Sequence, residues 1–265
     1  MSDNVFQIRG LSFAYGKHTV LKGLNLDLHA GRITTLIGAN GCGKSTLFHL
    51  MTKNLRPDAG RILLRDQDIS ACRLRDFARQ VAIVHQYNTA PADLSVEKLV
   101  AYGRTPYQTM GLSPDPEADA EKIRWALEIT HTDKYRDKPV AELSGGQKQR
   151  VWIAMALAQG TQVLFLDEPT TYLDIRYQLQ ILHLIRQLNR EYGMTIVMVL
   201  HDINLSSRYA DHMFALAKGK LVIQGTPREV VSVDTMRRVF DLDCVVIDDP
   251  VSGTPLIVPR GKYMP

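Results

Sequence analysis

The chain has 265 residues, of which 45% are hydrophobic and 23% charged, a composition typical of globular rather than disordered proteins. Its 32 Lys and Arg and 28 Asp and Glu residues give a net charge of +4, which without basic runs requires neither nucleic acid nor an anionic membrane as a partner. No apolar stretch reaches the roughly 18 residues of a membrane span. The N-terminus also lacks the pattern of a secretory signal, so we expect a cytoplasmic chain.

The three cysteines, Cys42, Cys72 and Cys244, include no CxxC pair. An odd number of cysteines without such a pair predicts neither a disulfide framework nor a zinc site, and it suits a reducing compartment. We therefore expect no role for cysteine in metal binding.

Predicted strands and helices alternate along the chain. Short strands are predicted in the first 30 residues and after residue 60, which indicates an antiparallel β layer. Residues 32–38 predict a strand that ends in glycine, followed by a helix at residues 45–53. The continuous apolar runs at residues 163–166 and 195–200 are typical of strands buried on both faces, and an amphipathic helix separates them. The pattern predicts an α/β fold with a mostly parallel sheet and a flanking antiparallel β layer.

Strand signals disappear at about residue 88, and helical signals continue to residue 159. This change predicts an inserted helical subdomain. We therefore expect one domain over residues 1–265, with an α/β core at 1–87 and 160–225 and the helical subdomain at 88–159. Residues 226–265 have weaker periodicity and form a predicted C-terminal tail.

The sharpest motif, Gly-Ala-Asn-Gly-Cys-Gly-Lys-Ser at residues 38–45, fits GxxxxGK[ST] between a predicted strand and a predicted helix. Its glycines allow backbone amides to surround phosphate oxygens, and the helix N-terminus adds positive charge. Lys44 is then placed for the β- and γ-phosphates of a nucleotide and Ser45 for Mg²⁺. The alternative is a glycine-rich turn with an incidental lysine. The candidate binding residues in this loop are Gly38, Asn40, Gly41, Cys42, Gly43, Lys44, Ser45 and Thr46.

Two adjacent acids, Asp167 and Glu168, follow the buried strand at residues 163–166. Ligands of α/β proteins bind beyond the carboxyl ends of parallel strands. We expect Asp167 to bind Mg²⁺, directly or through water, and Glu168 to take a proton from an attacking water. The alternative is a pair of solvated residues that merely end the strand.

A second helix N-terminus suited to an anion begins at Ser144-Gly145-Gly146-Gln147, where Ser144 is a good N-cap and the glycines expose amides. Such a sequence alone is equally consistent with a loop. In this order with the other motifs it resembles the signature of the ATP-binding cassette (ABC) ATPases. The resemblance covers roughly residues 5–229.

The resemblance implies roles for four further residues. Tyr15 would stack on adenine, although it could instead belong to the strand core, and Gln86 would contact Mg²⁺ or the attacking water. Asp174 matches the D-loop aspartate and is also placed as a helix N-cap. His201 would contact the γ-phosphate. The implied catalytic residues are Glu168, His201, Lys44 and Gln86, with ATP as the bound nucleotide and Mg²⁺ held by Ser45, Gln86 and Asp167.

In this family two cassettes pair head to tail, so the resemblance implies a homodimer in which the P-loop of one copy and Ser144 of the other enclose one ATP. A cassette without its own span implies separate membrane permease subunits, a substrate-binding protein and a place at the cytoplasmic face of the bacterial inner membrane. Residues 86–107 would form part of the groove that receives a permease helix, the alternative being a solvated loop. Nucleic acid is not an expected partner.

The sequences at residues 102–107, 170–175, 198–205 and 208–211 resemble a subgroup that serves bacterial ferric-siderophore, haem and cobalamin importers. Within this subgroup, the segments are most similar in sequence to those of ferric-siderophore cassettes. Haem or cobalamin import, or a P-loop NTPase outside transport, remain the alternatives. The chain departs from the family pattern at Ala39, His85 and Tyr172, and Cys42 occupies a variable position that is either filler or a site for thiol reagents.

Overall fold

The computed structural model describes residues 4–109 and 111–260. Residues 1–3, at the N-terminus where no secretory signal is predicted, lie outside these ranges. So does the end of the predicted tail at 226–265. The chain divides into two compact units, Met1–Cys72 with Thr195–Pro265, and Arg73–Met194. Within the described ranges, no helix has both the length and the apolar character needed to span a bilayer.

The elements are numbered in chain order. The first unit begins with β1 (Asn4–Tyr15), β2 (His18–His29), β3 (Ile33–Gly38), α1 (Lys44–Met51), β4 (Ala59–Leu64) and β5 (Gln67–Asp68). The second unit contains α2 (Leu74–Ala78), β6 (Val81–Val84), α3 (Val96–Ala101), α4 (Pro116–Ile129), α5 (Gly145–Ala158), β7 (Val163–Asp167) and α6 (Ile175–Tyr192), with short 3-10 helices at Tyr102–Tyr107, Asp133–Tyr135 and Val140–Glu142. The first unit resumes with β8 (Thr195–Val199), α7 (Ile203–Tyr209), β9 (His212–Ala217), β10 (Lys220–Gly225), α8 (Pro227–Val230), α9 (Val233–Phe240), β11 (Cys244–Asp248) and β12 (Pro255–Pro259).

An antiparallel sheet in the order β2-β1-β4-β5 forms the predicted β layer of the first unit. The expectation of short strands was wrong for β1 and β2, which have 12 residues each. The pairing of β1 with β2 shifts register between Ile8 and Leu11, where Gly10 has a φ of 60°. Because such a bulge interrupts the two-residue alternation of apolar side chains, one long strand has the sequence pattern of two short ones.

Parallel pairing surrounds β3 in the same unit. It pairs in parallel with both β8 and β9, and β10 adds an antiparallel edge to β9. Every residue of β3 and β8 is buried, and for β8 this confirms the burial that its continuous apolar run predicted. Because β3 and β8 run in the same direction, the loop after Gly38 and the residues after Val199 lie at the same edge of the sheet.

The second unit contains a parallel strand pair and a set of helices. β6 pairs with β7 in a register that matches Val84 to Leu166. Residues 88–109 and 111–159 form helices and 3-10 turns without a strand element, which confirms the predicted helical character of this segment. The helices are joined by Arg104, whose guanidinium donates to Asp119 Oδ1 at 2.6 Å and to the Ala158 carbonyl at 2.9 Å. Both charged side chains are almost completely buried.

The C-terminal segment is more regular than its sequence periodicity indicates. It forms two short helices and the antiparallel hairpin β11–β12. Met236 and Ile257 from this segment are buried in one apolar cluster with Met213 and Ala215 of β9. Elements as short as α8, with four residues, cover barely one helical turn and therefore produce little periodicity in the sequence.

Candidate nucleotide-binding and catalytic residues

The predicted phosphate-binding loop joins β3 to α1. Gly38, Gly41 and Gly43 all have positive φ values, of 153°, 74° and 109°. A Cβ at Gly38 would lie 2.4 Å from the Leu216 carbonyl oxygen, so a side chain there is excluded by packing as well as by backbone conformation. The loop therefore places main-chain amides where side chains would otherwise block an approaching anion.

Lys44, the first residue of α1, lies within this loop. Its side chain is buried, and Nζ donates to the Gly38 carbonyl at 2.7 Å and to the Ala39 carbonyl at 3.2 Å. Ser45 and Asn40 are exposed, whereas Thr46 is buried. The loop thus holds one ammonium group against its own carbonyls, in reach of an anion bound by the same loop.

Cys42 is buried in the loop. Burial raises the pKa of its thiol, and this effect exceeds the opposite effect of the nearby Lys44 charge. A buried thiol with a raised pKa is mostly protonated at neutral pH and reacts slowly. This environment favours the packing role of Cys42 over reactivity towards thiol reagents.

Two further candidates of the first unit lie at strand ends. His201 is exposed and lies between β8 and α7, at the sheet edge that also carries the loop after β3. Tyr15 ends β1 with 52% of its surface exposed, and its ring forms a T-shaped pair with the Phe13 ring at 4.9 Å between centroids. This exposure is inconsistent with the alternative that Tyr15 is a core residue, and it leaves an aromatic face available for stacking.

In the second unit, Gln86 and Glu168 meet at the ends of the parallel pair β6–β7. Gln86 Nε2 donates to Glu168 Oε2 at 2.6 Å, and Thr171 Oγ1 donates to the same oxygen at 3.0 Å. Glu168 has a φ of 49°, an uncommon conformation for a residue other than glycine. Its neighbour Asp167 is 94% buried, with a relative exposure of 6%. The sequence brought attention to the two carboxylates and to Gln86, but it did not indicate Thr171.

A second contact beside Glu168 joins two exposed tyrosines. The hydroxyls of Tyr87 and Tyr172 are 3.0 Å apart. This hydrogen bond raises the pKa of Tyr87, and the negative charge of Glu168 adds to the effect. The sequence showed only that Tyr172 departs from the family pattern, because the two tyrosines are distant in the chain and nothing in their spacing indicates contact.

The signature segment begins α5. The Ser144 amide donates to Gln147 Oε1 at 2.9 Å, and Gln147 Nε2 donates to the Tyr135 hydroxyl at the same distance, so this glutamine holds the helix start in place. Gly145 is exposed. Gly146 is buried, and a Cβ there would lie 2.5 Å from the Tyr177 ring. Exposed amides were expected at both glycines, but close packing accounts for Gly146.

Asp174 forms the N-cap of α6, where its Oδ1 accepts the Tyr177 amide at 3.0 Å. The capping alternative is therefore present in the structure. The side chain remains exposed, so capping does not remove it from the surface.

Comparison with known proteins identifies these motifs as a set. A family model described as ABC transporter matches residues 21–171, more than half of the chain. The chain belongs to the ABC transporter family. It is 43% identical to the ferric enterobactin transport ATP-binding protein FepC of Escherichia coli (strain K12), over 100% of this chain and 98% of the relative. It is 45% identical to the iron(3+)-hydroxamate import ATP-binding protein FhuC of Bacillus subtilis (strain 168), over 96% and 94% of the two chains.

A solved structure has the same fold as this cassette. It belongs to a protein assigned to the metal-chelate type of ABC transporter, in an inward-facing conformation, with a TM-score of 0.85, 27% identity and 98% coverage of each chain. The cassette thus has the P-loop NTPase fold that was predicted, and it is a nucleotide-binding ATPase of its family. ABC ATPase cassettes dimerise and work with membrane permease subunits.

Proposed function

We propose that this cassette energises a bacterial importer of ferric siderophores. The observation that carries the proposal is the similarity to FepC over the whole chain. It includes the loop after β3, Glu168 after β7 and the C-terminal hairpin. FhuC is similar at comparable identity, and its name also specifies an iron chelate. The chelates in the two names differ, so the support extends to iron chelates as a class.

The phosphate chain of ATP would bind to the loop after β3. Its amides and the N-terminus of α1 attract phosphate oxygens, and Lys44 would exchange the Gly38 and Ala39 carbonyls for the β- and γ-phosphates. Tyr15 would stack on adenine through its exposed ring. These contacts bind the ground state and orient the γ-phosphate for attack.

The oxygen donors proposed for Mg²⁺ fit that ion. Ser45 offers a hydroxyl, Gln86 an amide oxygen and Asp167 a carboxylate, and Mg²⁺ prefers hard oxygen ligands together with substrate phosphates. When bound, the ion would neutralise charge on the β- and γ-phosphates. Ser45, Gln86 and Asp167 would hold the ion beside the loop.

Glu168 would act as the general base. A carboxylate beside the attacking water accepts its proton as the oxygen bonds to the γ-phosphorus, and the bond from that phosphorus to the β-phosphate oxygen breaks to release ADP. Oε2 now accepts bonds from Gln86 and Thr171, so the water would compete for the same oxygen. His201 would donate to the γ-phosphoryl oxygens and, with Lys44, stabilise the charge that develops there.

A second copy of the chain would complete the site. Ser144 and Gly145 are exposed at the start of α5, where the helix N-terminus attracts an anion. In a head-to-tail dimer they would meet the γ-phosphate bound by the partner's loop, and Asp174 would lie at the same interface. ATP would then hold the two copies together and hydrolysis would release them.

The remaining partners would be permease subunits and, through them, a substrate-binding protein. The segment at residues 86–107 carries the strongly exposed Tyr102, suited to packing against a permease helix. The cassette would thus be peripheral to the bacterial inner membrane, at its cytoplasmic face.

The test measures the uptake of labelled compounds by the source bacterium with and without the gene. Cells are supplied with a ferric catecholate, a ferric hydroxamate, haem or cobalamin, each carrying a radioactive label. We expect deletion to abolish uptake of one ferric chelate class, and a plasmid copy of the gene to restore it. Loss of haem or cobalamin uptake alone, or normal uptake of all four compounds, would contradict the proposal.

A further inference from the structure

The geometry points to Tyr87 and Tyr172 as positioning residues that hold Gln86 against Glu168 and so restrain the general base. This inference rests on the proposed role of Glu168 in hydrolysis. We call the hydroxyl pair the tyrosine latch. Neither tyrosine touches the nucleotide in this account, and both act through the residue that precedes them in the chain.

The latch closes a ring of contacts around one carboxylate oxygen. Gln86 and Thr171 both donate to Glu168 Oε2, at 2.6 and 3.0 Å. Tyr87 follows Gln86 directly and Tyr172 follows Thr171 directly, and their hydroxyls are 3.0 Å apart. The two loop segments are therefore joined twice, once at the carboxylate and once at the phenols.

Packing does not explain the position of these two rings. Tyr87 is 71% exposed and Tyr172 is 81% exposed, so neither belongs to the core. Tyr172 also has a φ of 63°, a left-handed conformation that a bulky side chain rarely adopts. The ring centroids are 6.4 Å apart and tilted by 40°, so the hydroxyl contact is the closest defined link between the side chains.

The ring of contacts keeps Glu168 occupied. A carboxylate oxygen that already accepts two hydrogen bonds is a poorer acceptor for a water proton. For water to bind there, the segment that carries Gln86 has to move, and the latch opposes that movement. Because the hydroxyl pair is exposed and competes with water, it is weak enough to open in each catalytic cycle.

The test compares Tyr87→Phe, Tyr172→Phe and the double variant in steady-state ATP hydrolysis by the assembled transporter. Phenylalanine keeps the ring and removes only the hydroxyl. We expect each single variant to raise kcat by roughly two- to fivefold with unchanged KM, as the loss of one hydrogen bond allows. Since the two hydroxyls form one bond, the double variant should match either single variant. Tyr192→Phe removes a hydroxyl that does not belong to the ring of contacts around Glu168, and it should leave kcat unchanged.

Unchanged or lowered kcat in the single variants would overturn the latch, as would effects that multiply in the double variant. Glu168→Gln separates the two proposals. If Glu168→Gln is inactive but the phenylalanine variants behave as wild type, the latch alone fails. Full activity of Glu168→Gln would instead show that Glu168 is not the general base.

Discussion

Asn204 and Ile257 exchange two hydrogen bonds. Asn204 Nδ2 donates to the Ile257 carbonyl at 3.1 Å, and the Ile257 amide donates to Asn204 Oδ1 at 2.8 Å. Asn204 lies in α7, three residues after His201, and Ile257 lies in the C-terminal hairpin. Ser207 of the same helix donates to the Pro255 carbonyl at 2.6 Å. The hairpin therefore supports the helix that directly follows the proposed γ-phosphate ligand.

Asn204→Ala should lower the stability of the first unit. It leaves a partly buried amide and carbonyl of Ile257 without their partners, which costs about 1–3 kcal/mol. Thermal unfolding followed by circular dichroism should show a lower Tm. Asn54→Ala, at an exposed position, is the matched control and should leave Tm unchanged. Equal Tm values for the two variants would show that the hairpin does not support α7.

Lys44→Ala should weaken nucleotide binding. The substitution removes the ammonium group proposed to bind the β- and γ-phosphates. Because charge-assisted hydrogen bonds of this kind are strong, we expect the affinity for ATP to fall by at least about tenfold. Titration with a fluorescent ATP analogue measures the change. Lys220→Ala removes an exposed lysine of β10 and should bind as the wild type does. Equal affinity of both variants for ATP would exclude Lys44 as a phosphate ligand.

Ser144→Arg should block hydrolysis without affecting nucleotide binding by the isolated chain. The change places a long cationic side chain at the N-terminus of α5, where both the proposed interface and the helix dipole disfavour it. In the assembled transporter we expect ATP hydrolysis to fall by about tenfold or more. Ser70→Arg, in an exposed turn, is the control. Normal hydrolysis by Ser144→Arg would refute a shared site between two copies.

Asp119→Ala should destabilise the second unit strongly. It leaves Arg104 charged and buried without its carboxylate, a change that costs roughly 3–5 kcal/mol. Asp234→Ala breaks the exposed pair with Arg238 and should cost about 1 kcal/mol or less. Urea unfolding followed by tryptophan fluorescence is suitable for Asp119→Ala, because both tryptophans lie in this unit. Circular dichroism follows the unfolding of the control, Asp234→Ala. Equal losses of stability in the two variants would contradict the role of the buried ion pair.

Local motifs were predictable because their chemistry depends on neighbouring residues. The glycine spacing before Lys44 determines the loop conformation within a few residues, and Ser144 with Gln147 determines a helix start. By contrast, the bond between Gln86 and Glu168 joins positions 82 residues apart, so only the pairing of β6 with β7 brings them together. No local pattern indicates which oxygen accepts which donor.

The sequence was least informative where regular patterns are interrupted. The bulge at Gly10 breaks the alternation of β1, and the short elements after Gly225 lack a measurable period. Tyr172 adopts a left-handed conformation that propensity disfavours. It was visible in the sequence only as a departure from the family pattern, since the partner that holds its hydroxyl belongs to another loop.

Glu168 is the proposed general base of ATP hydrolysis for iron-chelate import. The most direct test of this role is the transporter purified with its permease from the native membrane and reconstituted in vesicles, with ATP hydrolysis and ferric chelate uptake measured together. Glu168→Gln should bind ATP normally, hydrolyse it at least about a hundredfold more slowly and import no chelate, since a general base contributes about that much. Glu191→Gln, at an exposed glutamate of α6, should behave as the wild type. Full steady-state hydrolysis by Glu168→Gln would contradict the account.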